Sequence, residues 1–155
     1  MLAAGIYGYG AWSFRQASVY RLFDTWDEAY RNGDPKPMCD AMTPEMTFST
    51  VDRVGGQVHE RKGNREEFCA VLDKVMPVVA KKMTSYAVTR EHFTATRQGI
   101  HWLSAVVSFS EHEDIVFTSG MHVRQDNEVH LTMEKTLGGL RVTHLDVDSR
   151  VLPPS

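Results

Sequence analysis

The first apolar pattern along the chain has the period of an amphipathic helix. Between residues 17 and 32, apolar side chains recur three or four positions apart, at Val19, Leu22, Phe23, Trp26, Ala29 and Tyr30. The pattern predicts a helix with one buried face. Ser18 is a suitable N-cap and Gly33 a suitable stop. A second, short helix is predicted from Asp34-Pro35 to Met42.

A third helical pattern follows a predicted hairpin. The hairpin consists of a strand at Met46–Asp52, a turn at Gly55-Gly56 and a short strand at Gln57–Arg61. Asn64 is a good N-cap for the helix that follows. Its predicted buried stripe consists of Phe68, Val71, Leu72, Val75 and Met76.

After Lys82 the period changes to two, which is typical of strands. Turn residues divide this region into four or five predicted strands, roughly at Thr84–Thr96, Ile100–Glu111, Ile115–Arg124, Glu128–Thr136 and Leu140–Val151. Because the helices precede the run of strands, the order predicts an α+β fold with an antiparallel sheet. We expect one domain over residues 17–151, an apolar arm or anchor stub over 1–16, and a tail over 152–155.

The composition indicates one soluble domain and argues against nucleic acid as a partner. A chain of 155 residues with 42% hydrophobic and 24% charged residues is typical of one soluble domain. Its net charge of -3 argues against a nucleic-acid partner, which requires a basic face. Cys39 and Cys69 have no metal-binding spacing. We expect two small buried apolar side chains, and the sequence leaves a disulfide between them open.

The N-terminal segment Leu2–Trp12, LAAGIYGYGAW, is apolar and aromatic. It is shorter than the roughly 20 residues of a membrane span and lacks the basic start of a signal peptide. One interpretation is an arm that packs on the domain or on a partner subunit. The other is the remainder of a membrane anchor, with Trp12 and Phe14 as interfacial aromatics. A cytoplasmic location is slightly favoured, with membrane attachment or export left open.

Two longer segments carry a family resemblance. Phe23–Asp52 reads FDTWDEAYRNGDPKPMCDAMTPEMTFSTVD, and Glu134–Ser149 reads EKTLGGLRVTHLDVDS. In this order they resemble the SnoaL-like branch of the nuclear transport factor 2-like superfamily. The resemblance implies a cystatin-like cone, in which N-terminal helices pack on a curved antiparallel sheet around one pocket. It also implies a homodimer.

The last predicted strand carries the first candidate chemistry. Leu140, Val142, His144 and Asp146 alternate along it and would share one face. The apolar members indicate that this face meets the helices. A histidine beside a carboxylate is a reasonable acid–base pair, because the carboxylate raises the basicity of the ring and fixes its tautomer.

The helix supplies the second candidate. The segment WDEAYRNGD is similar to the first helix of scytalone dehydratase and bile-acid dehydratase relatives. The similarity implies that Tyr30 points into the pocket, where a phenol could stabilise an enolate. Arg31 stands where scytalone dehydratase has an Asp, and Tyr86 where it has a His. Asp34 is expected to cap a helix.

The ketosteroid isomerases are a second comparison within this superfamily. Thr50 stands at the place of their catalytic Asp and Trp26 at that of their oxyanion Tyr. Their machinery is therefore not expected here.

These considerations predict cofactor-independent lyase or isomerase chemistry on a small hydrophobic carbonyl compound. The expected catalytic residues, lining one cavity, are Tyr30, His144 and Asp146. The expected substrate contacts are Trp26, Phe48, Tyr86 and His101. No metal is expected, because the seven histidines form no ligand motif, and no cofactor is expected, because no phosphate or dinucleotide loop occurs. The alternative is a non-catalytic ligand-binding or membrane-associated assembly module, and a membrane partner is left open through the N-terminal segment.

Overall fold

The computed structural model describes residues 13–154, except for the side chain of His101. Within this range the chain forms three helices, one 3₁₀ turn and six strands. They are α1 (Gln16–Asn32), α2 (Lys36–Asp40), β1 (Met42–Val54), β2 (Gln57–Asn64), α3 (Arg65–Lys82), β3 (Met83–Gln98), the 3₁₀ turn Ile100–Trp102, β4 (Ser104–Phe117), β5 (His122–Thr136) and β6 (Gly139–Val151).

The six strands form one curved, open sheet with the order β2-β1-β6-β5-β4-β3. Neighbouring strands are antiparallel, except that the first strand β1 lies parallel to the last strand β6. This parallel pair sets Thr47 beside His144 and Ser49 beside Asp146. The predicted α+β fold, with helices on a curved and mainly antiparallel sheet, is confirmed.

The core lies between the helices and one face of the sheet, called the inner face below. Along β4 the side chains of Ala105, Val107 and Phe109 are buried, whereas the residues between them are partly exposed. The largest fully buried side chains in this layer are Phe14, Phe109, Met46, Met76, Leu131, Met133, Val19, Val107 and Val142. Each such side chain contributes about 1.5–3 kcal/mol by leaving water. Phe14, which the sequence assigned to the arm, is 1% exposed and belongs to this core.

The helix ends follow the sequence closely. Gly33 ends α1 with a φ of 68°, and a Cβ atom there would lie 2.9 Å from the Cβ of Ala80 in α3. Glycine therefore serves both the left-handed turn and the close approach of the two helices. Asn64 and Glu67 form a reciprocal capping box at the start of α3. The predicted N-cap Ser18 is wrong, because α1 begins at Gln16.

Two predicted turns do not exist. β4 runs through Glu113 and Asp114, and β5 runs through the predicted turn at residues 125–127. The true turn lies between Phe117 and His122, so four strands follow α3, the lower of the two predicted numbers. Charged residues can occupy these strand positions because each has a polar partner on the next strand. Glu113, for example, lies opposite Gln125.

The predicted buried stripe of α3 is correct only in part. Met76 is buried and Phe68 packs against the core, but Val71 and Val75 are 42% and 45% exposed. α3 lies over the edge of the sheet, where β2 is exposed along nearly its whole length. That edge offers too little surface to cover the whole apolar face of the helix.

A disulfide between Cys39 and Cys69 joins α2 to α3, with 5.9 Å between the two Cα atoms. The expectation of two unbonded apolar side chains is therefore wrong. Arg65 supports the same junction by donating to the carbonyl oxygen of Cys39 at 3.0 Å.

Candidate active site

A buried ion network ties α1 to the inner face of the sheet. The guanidinium of Arg90 on β3 is 6% exposed and donates to Asp27 on α1 at 2.6 Å and to Glu111 on β4 at 2.8 Å. Asn127 on β5 donates to the second oxygen of Glu111 at 3.3 Å. A buried charge is tolerated only when it is paired in this way. The network therefore fixes where α1 crosses the sheet.

A tyrosine–carboxyl cluster lies beside this network and consists of Tyr30, Tyr86 and Glu113. The Tyr86 hydroxyl donates to the Glu113 carboxylate at 2.8 Å. The rings of Tyr30 and Tyr86 are 5.0 Å apart between centroids. Glu113 follows Glu111 by two positions on β4, so both carboxyl groups lie on the inner face.

The surroundings shift the proton affinity of this cluster. Burial, followed by the negative charges of Glu111 and Asp27, raises the pKa of Glu113 to about 7, although the hydrogen bond from Tyr86 opposes the change. Burial and the nearby Glu113 raise the pKa of Tyr30 to about 12. Burial also raises the pKa of Tyr86. At neutral pH both phenols are therefore donors, and Glu113 can gain or lose a proton.

His144 and Asp146 lie on the opposite, outer face of the sheet. The Nδ1 atom of His144 is 2.7 Å from the Thr47 hydroxyl, and its Nε2 atom is 3.0 Å from Asp146. Both side chains are substantially exposed, at 39% and 48%. The prediction that they share one cavity with Tyr30 is wrong.

A bulge in β6 is the physical reason for this error. Val142 pairs with Met133, but His144 already pairs with the preceding residue of β5, Thr132. Thr143 is thus an extra residue, and beyond it the alternation of faces is inverted. Leu145 is buried in place of His144.

The predicted substrate contacts occupy different places. Tyr86 lies in the tyrosine–carboxyl cluster, and Phe48 is 8% exposed and packs against Phe68. Trp26 is 5% exposed, and its buried indole Nε1 atom has no hydrogen-bond partner among the described residues. The side chain of His101 lies outside what the structure describes. Asp34 accepts from the backbone N–H of Lys36 at 3.0 Å, but the N-cap position of α2 is occupied by Pro35.

Sequence reasoning missed Glu113, and with it Arg90, Glu111 and Asp27. The signal was available in β4, because Glu111 and Glu113 continue the alternation of Ala105, Val107 and Phe109. The misplaced turn at 113–114 hid it. Within residues 13–154, no group of three or more metal-ligating side chains is placed to hold an ion.

Comparisons with known proteins agree on the architecture. A Novosphingobium aromaticivorans protein of the NTF2-like class with a cystatin-like fold superposes with a TM-score of 0.59, at 15% identity over 88% of this chain and 81% of that chain. The chain has the cystatin-like fold of NTF2-like proteins. Two further solved structures with this fold are named for different functions.

The first is a candidate scytalone dehydratase from the same organism, with a TM-score of 0.65 and 9% identity over 87% of this chain and 82% of that chain. The second is a candidate calcium/calmodulin-dependent protein kinase II association domain from Xanthomonas campestris. It has a TM-score of 0.60 and 19% identity over 91% of both chains. At these identities the likeness concerns the fold alone. No protein-family profile matches the sequence, and no curated protein matches it significantly.

Proposed function

We propose that this NTF2-like domain carries out cofactor-independent lyase or isomerase chemistry on a small hydrophobic carbonyl compound. The proposal places the base at Glu113 and the electrophilic donor at Tyr30, with Tyr86 orienting the carboxylate. The observation that carries it is the hydrogen bond from Tyr86 to a partly buried carboxyl group beside a second phenol. The candidate dehydratase of the same fold is consistent with this class of reaction.

The reaction needs one proton acceptor and one donor. In the proposed step the Glu113 carboxylate removes a proton from the carbon next to the carbonyl group, and the electron pair moves onto the carbonyl oxygen. Tyr30 donates a hydrogen bond to that oxygen as negative charge develops. The proton then returns to a different carbon in an isomerisation. In a dehydration, the electron pair instead returns from the carbonyl oxygen and expels the hydroxyl group of the neighbouring carbon, which takes the proton from Glu113 and leaves as water.

The unpartnered indole N–H of Trp26 supports the proposal that a ligand places a polar atom in this interior. Trp26 precedes Tyr30 by four residues on α1, so the two side chains lie one above the other on the same side of the helix. A buried donor without an acceptor costs about 1–3 kcal/mol. A carbonyl oxygen bound between Trp26 and Tyr30 would remove that cost.

The test is proton exchange on a model ketone. The protein should accelerate the exchange of α-hydrogens of 2-tetralone in D2O, followed by proton NMR, with a rate that rises through a pH of about 7. Glu113→Gln should lower the rate by about 10²–10⁴. Tyr30→Phe should lower it by about 10² or more. His144→Gln, on the outer face, is the matched control and should leave it unchanged. Exchange no faster than in buffer, or full activity in Glu113→Gln, would refute the assignment.

A non-catalytic binding or assembly module is the second candidate. It is favoured by the apolar filling of the inner face near the start of α1, where Phe14, Phe109, Leu131 and Met133 are at most 2% exposed. The candidate association domain of the same fold is consistent with this role. Under it, the chain would bind 2-tetralone or assemble without any exchange activity.

The homodimer implied by the resemblance is also a proposal. The outer face of the sheet is its natural interface, because an open sheet leaves that face uncovered by helices. Sedimentation at high protein concentration tests it, and a monomer alone would contradict it.

A further inference from the structure

One end of the sheet exposes large apolar side chains on two neighbouring loops. Ile100 and Trp102, in the 3₁₀ turn between β3 and β4, are 80% and 45% exposed. Leu137, in the β5–β6 turn, is fully exposed. The backbone N–H of Lys135 donates to the carbonyl oxygen of Leu103 at 2.7 Å and joins the two loops. We call Ile100, Trp102 and Leu137 the loop tips.

The first turns of α1 reach the same end. A surface cavity of about 510 Å³ is lined by Ser18 and Leu22 of α1 together with Lys135 and Leu140, which flank the β5–β6 turn. Ser13, the first residue that the structure describes, lines the same cavity. The sequence before it is rich in apolar and aromatic residues, with Leu2, Ile6, Tyr7, Tyr9 and Trp12.

The charge at this end is opposite to that of the whole chain. Residues 13–23, 97–104 and 134–141 hold a single carboxylate, Glu134, and five cationic side chains, at Arg15, Arg21, Arg97, Lys135 and Arg141. The complete chain carries a net charge of -3. Arg141 also lies beside Asp40, whose backbone carbonyl oxygen accepts from its guanidinium. The segments at this end therefore carry a small excess of positive charge.

We propose that this end of the domain docks on a bilayer that contains anionic lipid. Apolar loop tips, with a tryptophan among them, suit the boundary between headgroups and acyl chains, and the excess of cations in the neighbouring segments suits anionic headgroups. Two copies of this end would repel each other, which disfavours a second copy as the occupant. Nucleic acid would use the cations but gives no reason for aliphatic side chains at the tips. Within residues 13–154 no helix is long and apolar enough to cross a membrane, so docking here is peripheral.

The test is co-sedimentation of the full chain with vesicles. The protein should bind vesicles of mixed phosphatidylcholine and phosphatidylglycerol more tightly than pure phosphatidylcholine, and added salt should weaken the binding. The double variant Ile100→Ser/Leu137→Ser should lower the partition coefficient about tenfold or more, because two aliphatic side chains no longer leave water.

The matched control is Val58→Ser/Val78→Ser, which removes two valines that are 56% and 52% exposed on other parts of the surface. It should bind as the native protein does. Binding of the tip variant at the native level, or equal loss in the control, would overturn the proposal. So would absence of binding to the mixed vesicles together with salt-sensitive binding to an oligonucleotide, which would assign the basic end to nucleic acid.

Discussion

Replacing Glu113 by glutamine should stabilise the fold at alkaline pH and change little at acidic pH. In the folded protein the pKa of Glu113 lies near 7, against an ordinary value of 4.5. Between these values the native state holds a proton that the unfolded state has lost, so stability falls as the pH rises through this window. Glutamine removes the buried negative charge and keeps an oxygen that can accept from Tyr86.

The size of the effect follows from the two pKa values. Each pKa unit corresponds to about 1.4 kcal/mol, so the full difference corresponds to about 3 kcal/mol. Because Glu113 retains some exposure and is coupled to Glu111, we expect a gain in unfolding free energy of about 1–3 kcal/mol above a pH of about 8, and less than about 0.5 kcal/mol near pH 5.

Urea denaturation followed by circular dichroism at both pH values measures this difference. Glu60→Gln, on the exposed strand β2, is the control for removing a carboxylate from the surface and should show no such dependence on pH. An equal gain at both pH values would show that the charge of Glu113 is not the cause. A loss of stability at alkaline pH would show that the carboxylate is held by favourable interactions, and the proposed base would then be wrong.

Three further substitutions test the frame around the site. Arg90→Leu should cost about 3–5 kcal/mol at neutral pH in urea denaturation, since it leaves two buried carboxylates unpaired, and less in acid; an unchanged midpoint would contradict the network. Cys39→Ser/Cys69→Ser should cost about 3–4 kcal/mol, because the bond closes a loop of 30 residues; calorimetry showing an unchanged Tm would argue that the bond does not form in solution. Gly33→Ala should lower the Tm in the same assay by an amount equivalent to about 1–3 kcal/mol, because Gly33 has a positive φ and an added Cβ would meet Ala80. A neutral effect would contradict that geometry.

Local sequence patterns were sufficient for the fold. The period of α1, the glycine stop at Gly33 and the N-cap at Asn64 depend on neighbouring residues, and all three could be predicted from the chain alone. The disulfide and the exposure of Val71 depend on how distant elements pack. No local pattern encodes that α3 lies at the edge of the sheet, so both were missed.

The candidate site was harder to predict because it depends on register. One extra residue, Thr143, exchanges the faces of β6 beyond it and moves His144 away from the helices. One misplaced turn concealed Glu113. The family resemblance placed Tyr30 and Tyr86 among the site residues and gave no indication of the carboxyl group between them. The catalytic role that the resemblance implies for Tyr30 remains a prediction, which the exchange assay tests.

The inner face of β4 runs from the proposed docking end of the domain to the proposed catalytic site. From the docking end it presents Ala105, Val107 and Phe109, and then Glu111 and Glu113, so its apolar half comes first and its ionisable half second. Glu113 follows Leu103, which bonds to the docking loops, by ten residues along an extended strand. At about 3.3 Å per residue this places the proposed base about 30 Å from the loop tips. A domain docked through those tips would hold its site well outside the headgroup layer, open to a substrate in solution. The tip variant Ile100→Ser/Leu137→Ser should therefore lose vesicle binding while the pH dependence that Glu113 gives to stability stays unchanged, and a shift in that dependence would show that the two ends are coupled.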